Sequence, residues 1–316
     1  MMERIVFLDA QTLPVAIPRL PWAHEWENYP LTMPQDVIQH AQAASVIITH
    51  KVALPPVVLK QLPALKMIAV AATGYNHVDT AYCRAQGIAV ANVQGYARVS
   101  VTEHVLLSLL ALRRQLLAYH HAIQQGAWQK SSQFALLDYP IIDLAGSTLG
   151  IVGAGDLGQA VAAMAQALGM QVLLAEHRGA AQLRPGRVAF EEVLACSDAV
   201  SIHCPLTPVT RHLIDATALA QMKPSAVLIN TARGGVVDEM ALVAALRSGR
   251  LAGAAVDVLS QEPPVQGNPL LASSVPNLLV TPHIAWASQG ALTELAQALH
   301  DNIAAFFAGD SRNRVV

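Results

Sequence analysis

The stretch from Ser147 to Glu176, STLGIVGAGDLGQAVAAMAQALGMQVLLAE, constrains the fold more than any other part of the chain. Thr148 to Val152 is a short apolar run that reads as a buried parallel strand. Gly153, Gly155 and Gly158 then form G-x-G-x-x-G. The Ala-rich segment Leu157–Leu168 favours a helix that stops at Gly169. A second strand, Met170 to Ala175, ends in Glu176. This order is that of a dinucleotide site. Gly153 permits the tight turn, Gly155 lets backbone approach a pyrophosphate, and Gly158 lets helix and strand pack closely. The amides of Asp156 and Leu157 at the helix start face the phosphates. The carboxylate of Glu176, eighteen residues past Gly158, is placed to accept from the adenosine ribose hydroxyls.

A chain of 316 residues is expected to hold two domains. Its 53% hydrophobic and 13% charged residues supply a large core and argue against disorder. A formal charge of −2 gives no electrostatic reason to expect nucleic acid or an anionic membrane as partner. Cys83, Cys196 and Cys204 form neither C-x-x-C nor metal spacing, which fits a reducing compartment. Arg4 and Asp9 interrupt the N-terminal apolar residues, so no secretory segment is expected there. No apolar run approaches membrane-spanning length. The expectation is a soluble, cytoplasmic protein without metal.

In chain order, strands are predicted at Arg4–Leu8, Ser45–Thr49, Lys66–Ala71 and Ile88–Val90, with Thr12–Pro34 irregular and a helix at Pro34–Ala43. A helical pattern runs unbroken from Ser100 to Gln125, where Gly126 stops it, and residues 127–146 read as a loop-rich connection. After Glu176, strands are predicted at Asp198–His203, Ala226–Asn230, Gly253–Val258 and Leu278–Thr281, with a last helix at Ser288–Ala308. Alternation of strands and helices implies doubly wound parallel sheets, whose ligands bind beyond the carboxyl ends of the strands.

Three strand-end segments each supply one strongly polar side chain: Arg233, Glu262 and His283. Histidine is the natural proton carrier near neutral pH, and a neighbouring carboxylate favours its imidazolium and orients the ring. Arginine offers a fork for a carboxylate or carbonyl. Taken singly, each is an ordinary residue: Glu262 a solvated turn acid, His283 a structural histidine, Arg233 a surface cation. Their joint placement downstream of a dinucleotide fingerprint points to hydride transfer. No H-E-x-x-H and no G-x-S-x-G occurs, which argues against metal and serine hydrolase chemistry. His104, His120 and His121 read as ordinary helix residues.

The segments NTARGGVVDEMALVAAL, AAVDVLSQEPP, NLLVTPHIAWAS and HCPLTPVTRHLI, with the Gly-rich stretch, resemble the D-isomer-specific 2-hydroxyacid dehydrogenases over most of the chain. The resemblance is closest to their hydroxypyruvate reductase and glycerate dehydrogenase branch. It implies a Rossmann dinucleotide-binding domain at residues 99–288 and a flavodoxin-like substrate domain at 1–98 plus 289–316, with the active site in the cleft between them. It implies that Arg233 binds and polarises substrate, that Glu262 pairs with His283, and that His283 is the acid/base. The amides of Thr73 and Gly74 are implied to hold the substrate carboxylate, and Asp257 to bond the nicotinamide carboxamide. His203, Cys204, Pro205, Thr210, Thr231, Ala232, His283 and Ala285 are implied to line the cofactor. A homodimer acting on a small 2-keto or 2-hydroxy acid is the family expectation.

Between the cofactors, Glu176 favours NAD because it repels a 2′-phosphate. Arg178, two residues on, is near enough in sequence to receive that phosphate, so NADP stays open. The expected reaction is hydroxypyruvate or glyoxylate reduction to D-glycerate or glycolate. The alternative is a non-catalytic NAD(H)-sensing protein on the same fold. A formate-type dehydrogenase is disfavoured because that group carries glutamine where Glu262 stands. A methyltransferase leaves the Arg233, Glu262 and His283 segments unexplained.

Overall fold

Short aliphatic runs in this chain are buried on both faces, which is the condition for strands of a covered parallel sheet. The computed structural model describes residues 2–316 and divides into two units, one of Met1–Ala97 with Ala287–Val316 and one of Arg98–Trp286.

The first unit opens with β1 (Glu3–Phe7), β2 (His24–Asn28), α1 (Val37–Ala41), β3 (Val46–Thr49), α2 (Pro56–Leu59), β4 (Met67–Val70), α3 (Thr80–Gln86) and β5 (Ala89–Ala91). All five strands are parallel in the order β2-β1-β3-β4-β5, the flavodoxin-like order. Ile47, Ile68 and Val70 on the adjoining strands β3 and β4, and Val90 on β5, are completely buried. One expectation is corrected here. The segment expected to be irregular contains β2, whose sequence HEWEN is too polar to read as a buried strand. It lies at the sheet edge, where charged side chains are tolerated and discourage further pairing.

The second unit comprises α4 (Arg98–Arg113), α5 (Leu116–Gln124), β6 (Thr148–Val152), α6 (Asp156–Ala167), β7 (Gln171–Leu174), α7 (Phe190–Cys196), β8 (Ala199–Ile202), α8 (Ala216–Gln221), β9 (Val227–Asn230), α9 (Glu239–Arg247), β10 (Gly253–Val256) and β11 (Leu278–Val280). Its parallel sheet runs β7-β6-β8-β9-β10-β11, and Val188 bridges to Ala175 beside β7. Counting that bridge as a rudimentary strand gives the Rossmann order, with the topological switch between β6 and β8. Side-chain caps start α8 and α9: Asp215 accepts from Ala218 N at 2.8 Å and Asp238 from Ala241 N at 3.0 Å. The chain then returns to the first unit as α10 (Gln289–Phe307), capped by Ser288. Asn302 of α10 donates to Asn92 O at 2.9 Å, and Val315 pairs with Val90 beside β5.

The single helix expected from Ser100 to Gln125 is two. Gln115 adopts a left-handed conformation (φ +54°) between α4 and α5. The carbonyl of Arg113 accepts from Ile142 N at 3.0 Å, and Arg114 pairs with Asp143 at 3.0 Å. A distant segment therefore serves the helix end, and no glycine or proline marks the break. Several apolar side chains on these helices, including Leu107 and Leu117, are exposed.

Among the described residues no helix is long and apolar enough to cross a membrane. Helix and turn approach closely at Gly158, where an added Cβ would stand 2.1 Å from Gly153 O. Gly158→Ala is expected to cost about 1–3 kcal/mol from overpacking. At about 2–4 °C per kcal/mol for a unit of this size, calorimetry should show a melting temperature lowered by several degrees. An unchanged melting temperature would contradict the packing.

Candidate active site

The G-x-G-x-x-G turn joins β6 to α6 at the switch point. Gly153 has φ +96°, and a Cβ there would stand 2.5 Å from Cys204 N and 2.6 Å from His203 C, so the turn packs directly on the end of β8. A Cβ on Gly155 would meet nothing within 4 Å. The glycines thus divide into two that protein atoms close upon and one that faces open space. The first amides of α6, from Asp156 onward, lie at this open end, where early helical N–H groups have no intrahelical acceptor. Asp156 also lies 3.6 Å from Arg98. At the end of β9, Thr231 Oγ1 is buried and has no partner among the described residues. An open glycine, a helix N-terminus and an unused buried hydroxyl fit a dinucleotide with a pyrophosphate on α6.

Glu176 follows β7, and its side chain is only 2% exposed. It accepts from His177 N at 2.8 Å, from Arg184 N at 3.2 Å and Nε at 2.7 Å, and from Arg184 Nη2. Arg178 points elsewhere, to Leu213 O at 3.2 Å and Asp215 at 2.9 Å, with its guanidinium over the Phe190 ring. The residue expected to reach a 2′-phosphate is therefore engaged, and Arg184, which no motif marked, stands at Glu176 instead.

His203 Nε2 lies 2.8 Å from Ser201 Oγ, and burial pushes its imidazole down to about 4, so the ring is neutral at physiological pH. Burial likewise pushes the Cys204 thiol up to about 11, which makes it an apolar contact rather than a nucleophile. Thr210 Oγ1 donates to Pro205 O at 2.6 Å and so folds the exposed loop after β8.

Arg233, Glu262 and His283 follow β9, β10 and β11. Buried Asn230 shapes the first turn: its Oδ1 accepts from Ala232 N at 3.0 Å and its Nδ2 donates to Arg233 O at 3.0 Å. Arg233 Nη1 donates to Ala232 O at 2.7 Å. A Cβ on the next residue, Gly234, would stand 2.0 Å from Leu259 C, so the Arg233 turn lies against the backbone that leads to Glu262. Glu239, the fourth residue of the VVDEM continuation, fastens the same loop. It accepts from Ser260 N at 2.6 Å, Ser260 Oγ at 2.7 Å and Asn268 Nδ2 at 2.8 Å.

Glu262 Oε1 accepts from Leu259 N at 2.8 Å, and Oε2 is 2.6 Å from His283 Nδ1. The ring is thereby oriented with Nε2 directed away from the carboxylate. His283 itself has φ +57°, unusual for a residue other than glycine. Asp257 holds it there. Its carbonyl accepts from His283 N at 2.7 Å, while its carboxylate accepts from Thr281 Oγ1 at 2.5 Å, Ile284 N at 2.9 Å and Ala285 N at 2.9 Å. His104 of α4 adds a contact to Thr281 at 3.2 Å, and Ser100 donates to Ala285 O at 2.7 Å. The Asp257 side chain is 1% exposed and is turned into the His283 segment. Trp286, whose indole donates to His283 O at 2.9 Å, braces the same segment.

Thr73 and Gly74 follow β4 in the first unit. Thr73 Oγ1 donates to Val93 O at 2.9 Å, and Asn92 Nδ2 donates to Thr73 O at 2.7 Å. The loop's own side-chain and carbonyl groups are thus used in fixing its shape.

Two expected outcomes test these contacts. Asp257→Ala leaves three donors without their carboxylate, each such bond being worth about 1.5–3 kcal/mol. A melting temperature lowered by more than about 5 °C is expected, and no change would contradict the anchoring. Glu176 is held far below the ordinary carboxylate range, first by the Arg184 side chain and then by the His177 amide, with burial opposing. Its folded value lies below its unfolded one, near 4.3. The stabilisation is therefore full above about pH 5 and is lost on acidification. Glu176→Gln should be less stable than wild type at neutral pH, with a gap in denaturant midpoint that closes as the pH falls below about 4. A pH-independent gap would contradict it.

The family model for the D-isomer specific 2-hydroxyacid dehydrogenase NAD binding domain matches residues 106–285. Glycerate dehydrogenase of Methylorubrum extorquens is 47% identical, with 100% of this chain and 99% of that protein covered. Hydroxypyruvate reductase of Blautia hydrogenotrophica is 35% identical over 92% of this chain and 90% of that one. Among solved structures, the NADPH-dependent glyoxylate/hydroxypyruvate reductase of Sinorhizobium meliloti superposes with a TM-score of 0.82 at 28% identity, covering 99% and 98% of the two chains.

Proposed function

Since the chain belongs to the D-isomer specific 2-hydroxyacid dehydrogenase family, we propose that it reduces hydroxypyruvate and glyoxylate to D-glycerate and glycolate. The observation that carries this reading is the 2.6 Å contact between His283 Nδ1 and Glu262 Oε2, on a loop packed against the Arg233 turn. The names of enzymes carried by the full-length relatives support this reading over that of an NAD(H)-sensing protein. The names of the full-length relatives support the same small, polar 2-keto acids.

The nicotinamide, when bound, supplies the hydride. The α6 N-terminus at Asp156–Leu157 and the backbone at Gly153, Gly155 and Gly158 hold its pyrophosphate, with Glu176 toward the adenosine ribose. Residues 203–205, Thr210, Thr231, Ala232 and Ala285 line the remainder of that site. Residues 99–288 serve as the nicotinamide-binding domain, and residues 1–98 with 289–316 as the substrate domain. The Arg233 guanidinium polarises the keto group and binds the substrate carboxylate, which the amides of Thr73 and Gly74 also receive. His283 Nε2 donates its proton to the carbonyl oxygen, and Glu262 keeps the imidazolium oriented and its charge balanced. In the oxidative direction His283 takes the hydroxyl proton.

The protein works as a homodimer in the cytoplasm. Apolar side chains stand exposed through α4, α5 and the following loop, among them Leu110, Leu117, Trp128 and Phe134, the last 93% exposed. Such a patch calls for a partner surface. The three cysteines are all unpaired, which suits a reducing compartment.

His283→Ala is expected to lower kcat by about 10²–10⁴, the usual contribution of a positioned acid/base, while NADH affinity changes little. Oxidation of NADH and of NADPH is followed with hydroxypyruvate, glyoxylate, pyruvate and phenylpyruvate. Wild-type turnover in the variant would remove His283 from its role. Failure of the wild type to reduce any of the four acids would remove the reading itself.

A further inference from the structure

The adenosine-ribose end of the nucleotide site is not arranged as the sequence suggests. A carboxylate that selects NAD must offer open lone pairs to a ribose diol and an uncompensated negative charge to a 2′-phosphate. Glu176 offers neither. Its two oxygens already accept four hydrogen bonds, about the capacity of a carboxylate. Three of the four come from Arg184.

Arg184 is held in place by its loop. Residues 177–187 leave the sheet after Glu176 and return where Val188 bridges to Ala175. Glu176 N donates to Val188 O at 2.8 Å, Val188 N to Leu174 O at 2.9 Å, and Arg187 Nη1 to Ala175 O at 3.0 Å. With both ends fixed to β7, the loop sets the Arg184 backbone beside Glu176. The Arg184 side chain is nevertheless 55% exposed, against 2% for Glu176, so the cation and not the acid is what a ligand at this end meets first. His177, 79% exposed, has its Nε2 3.9 Å from Glu176.

We infer that Arg184 sets the cofactor choice and makes the chain accept NADPH as well as NADH. The inference rests on the nucleotide site proposed above. A ribose diol reaches Glu176 only by displacing the two side-chain bonds of Arg184. A 2′-phosphate has no need to displace them, because the Nη1 edge of the guanidinium is not used on Glu176 and receives phosphate oxygens directly. The repulsion expected from Glu176 is cancelled by the cation paired to it. Arg178 takes no part, being spent on Asp215 and Leu213.

The test measures dissociation constants of NADH and NADPH by nicotinamide fluorescence, and of 5′-AMP and adenosine 2′,5′-bisphosphate by calorimetry. Wild type is compared with Arg184→Ala, Arg184→Lys and the double variant Glu176→Gln/Arg184→Ala, which leaves no lone buried carboxylate if the single change unfolds the loop. Wild type is expected to bind the two dinucleotides within about ten-fold of each other. Arg184→Ala should weaken NADPH by about 10–100-fold, the worth of one or two charge-assisted bonds, with NADH unchanged or tighter. Arg184→Lys should fall between. The double variant should also lose NADPH relative to NADH. An unchanged NADPH/NADH ratio in all three variants, or equal weakening of both dinucleotides, would overturn the inference and leave the enzyme reading standing. A wild type that binds neither dinucleotide would overturn both.

Discussion

Asp257 ties the chemistry of the second unit to its sheet. It follows β10 with its side chain 1% exposed, and its carboxylate and carbonyl together accept from Thr281, His283, Ile284 and Ala285. A buried carboxylate is tolerated only when its lone pairs are used, and here they are used on the segment that carries His283. That segment includes a left-handed backbone at His283 which a free loop would not retain. One buried acid thus fixes the position of a second residue's ring, and the ring meets Glu262. The cost of burying Asp257 is offset only if all of these bonds form together, so the segment is either in place or lost as a whole.

The other two strand ends are fixed by different means. Asn230 folds the Arg233 turn by bonding it at both ends, and Gly234 brings that turn against Leu259 with no room for a side chain. Glu239 then holds Ser260 and Asn268, the two sides of the Glu262 loop. Arg233, Glu262 and His283 are therefore borne on loops but positioned by helices and strands, as a reaction that must place a proton donor accurately requires.

Much of the architecture was legible in the chain because parallel sheets write themselves as aliphatic runs followed by polar turns. VIIT, MIAV, AVSI and VLIN are all buried and all strands. The edge strand HEWEN was hidden because an edge needs no apolar run. The break at Gln115 was hidden because its cause, Ile142 and Asp143, lies nearly thirty residues away with no local breaker. The site divides the same way. Glycine spacing and strand-end polar residues are local signals, whereas the partners of Glu176 and Asp257 depend on how loops return. Arg184 reaches Glu176 because Val188 rejoins Ala175, and Asp257 turns inward because Thr281 and the amides after His283 lie beside it. No residue pattern within either segment announces those contacts.

The proposed reaction moves a hydride from a nicotinamide to the keto carbon of a small 2-keto acid while His283 supplies the proton. The measurement that tests it most directly is isotope transfer, with NADH carrying deuterium at both C4 positions, hydroxypyruvate as acceptor and the product analysed by NMR and chiral chromatography. D-glycerate with one deuterium at C2 is expected. Glycerate whose C2 hydrogen comes from solvent, glycerate of the opposite hand, or no reduced product at all would contradict it.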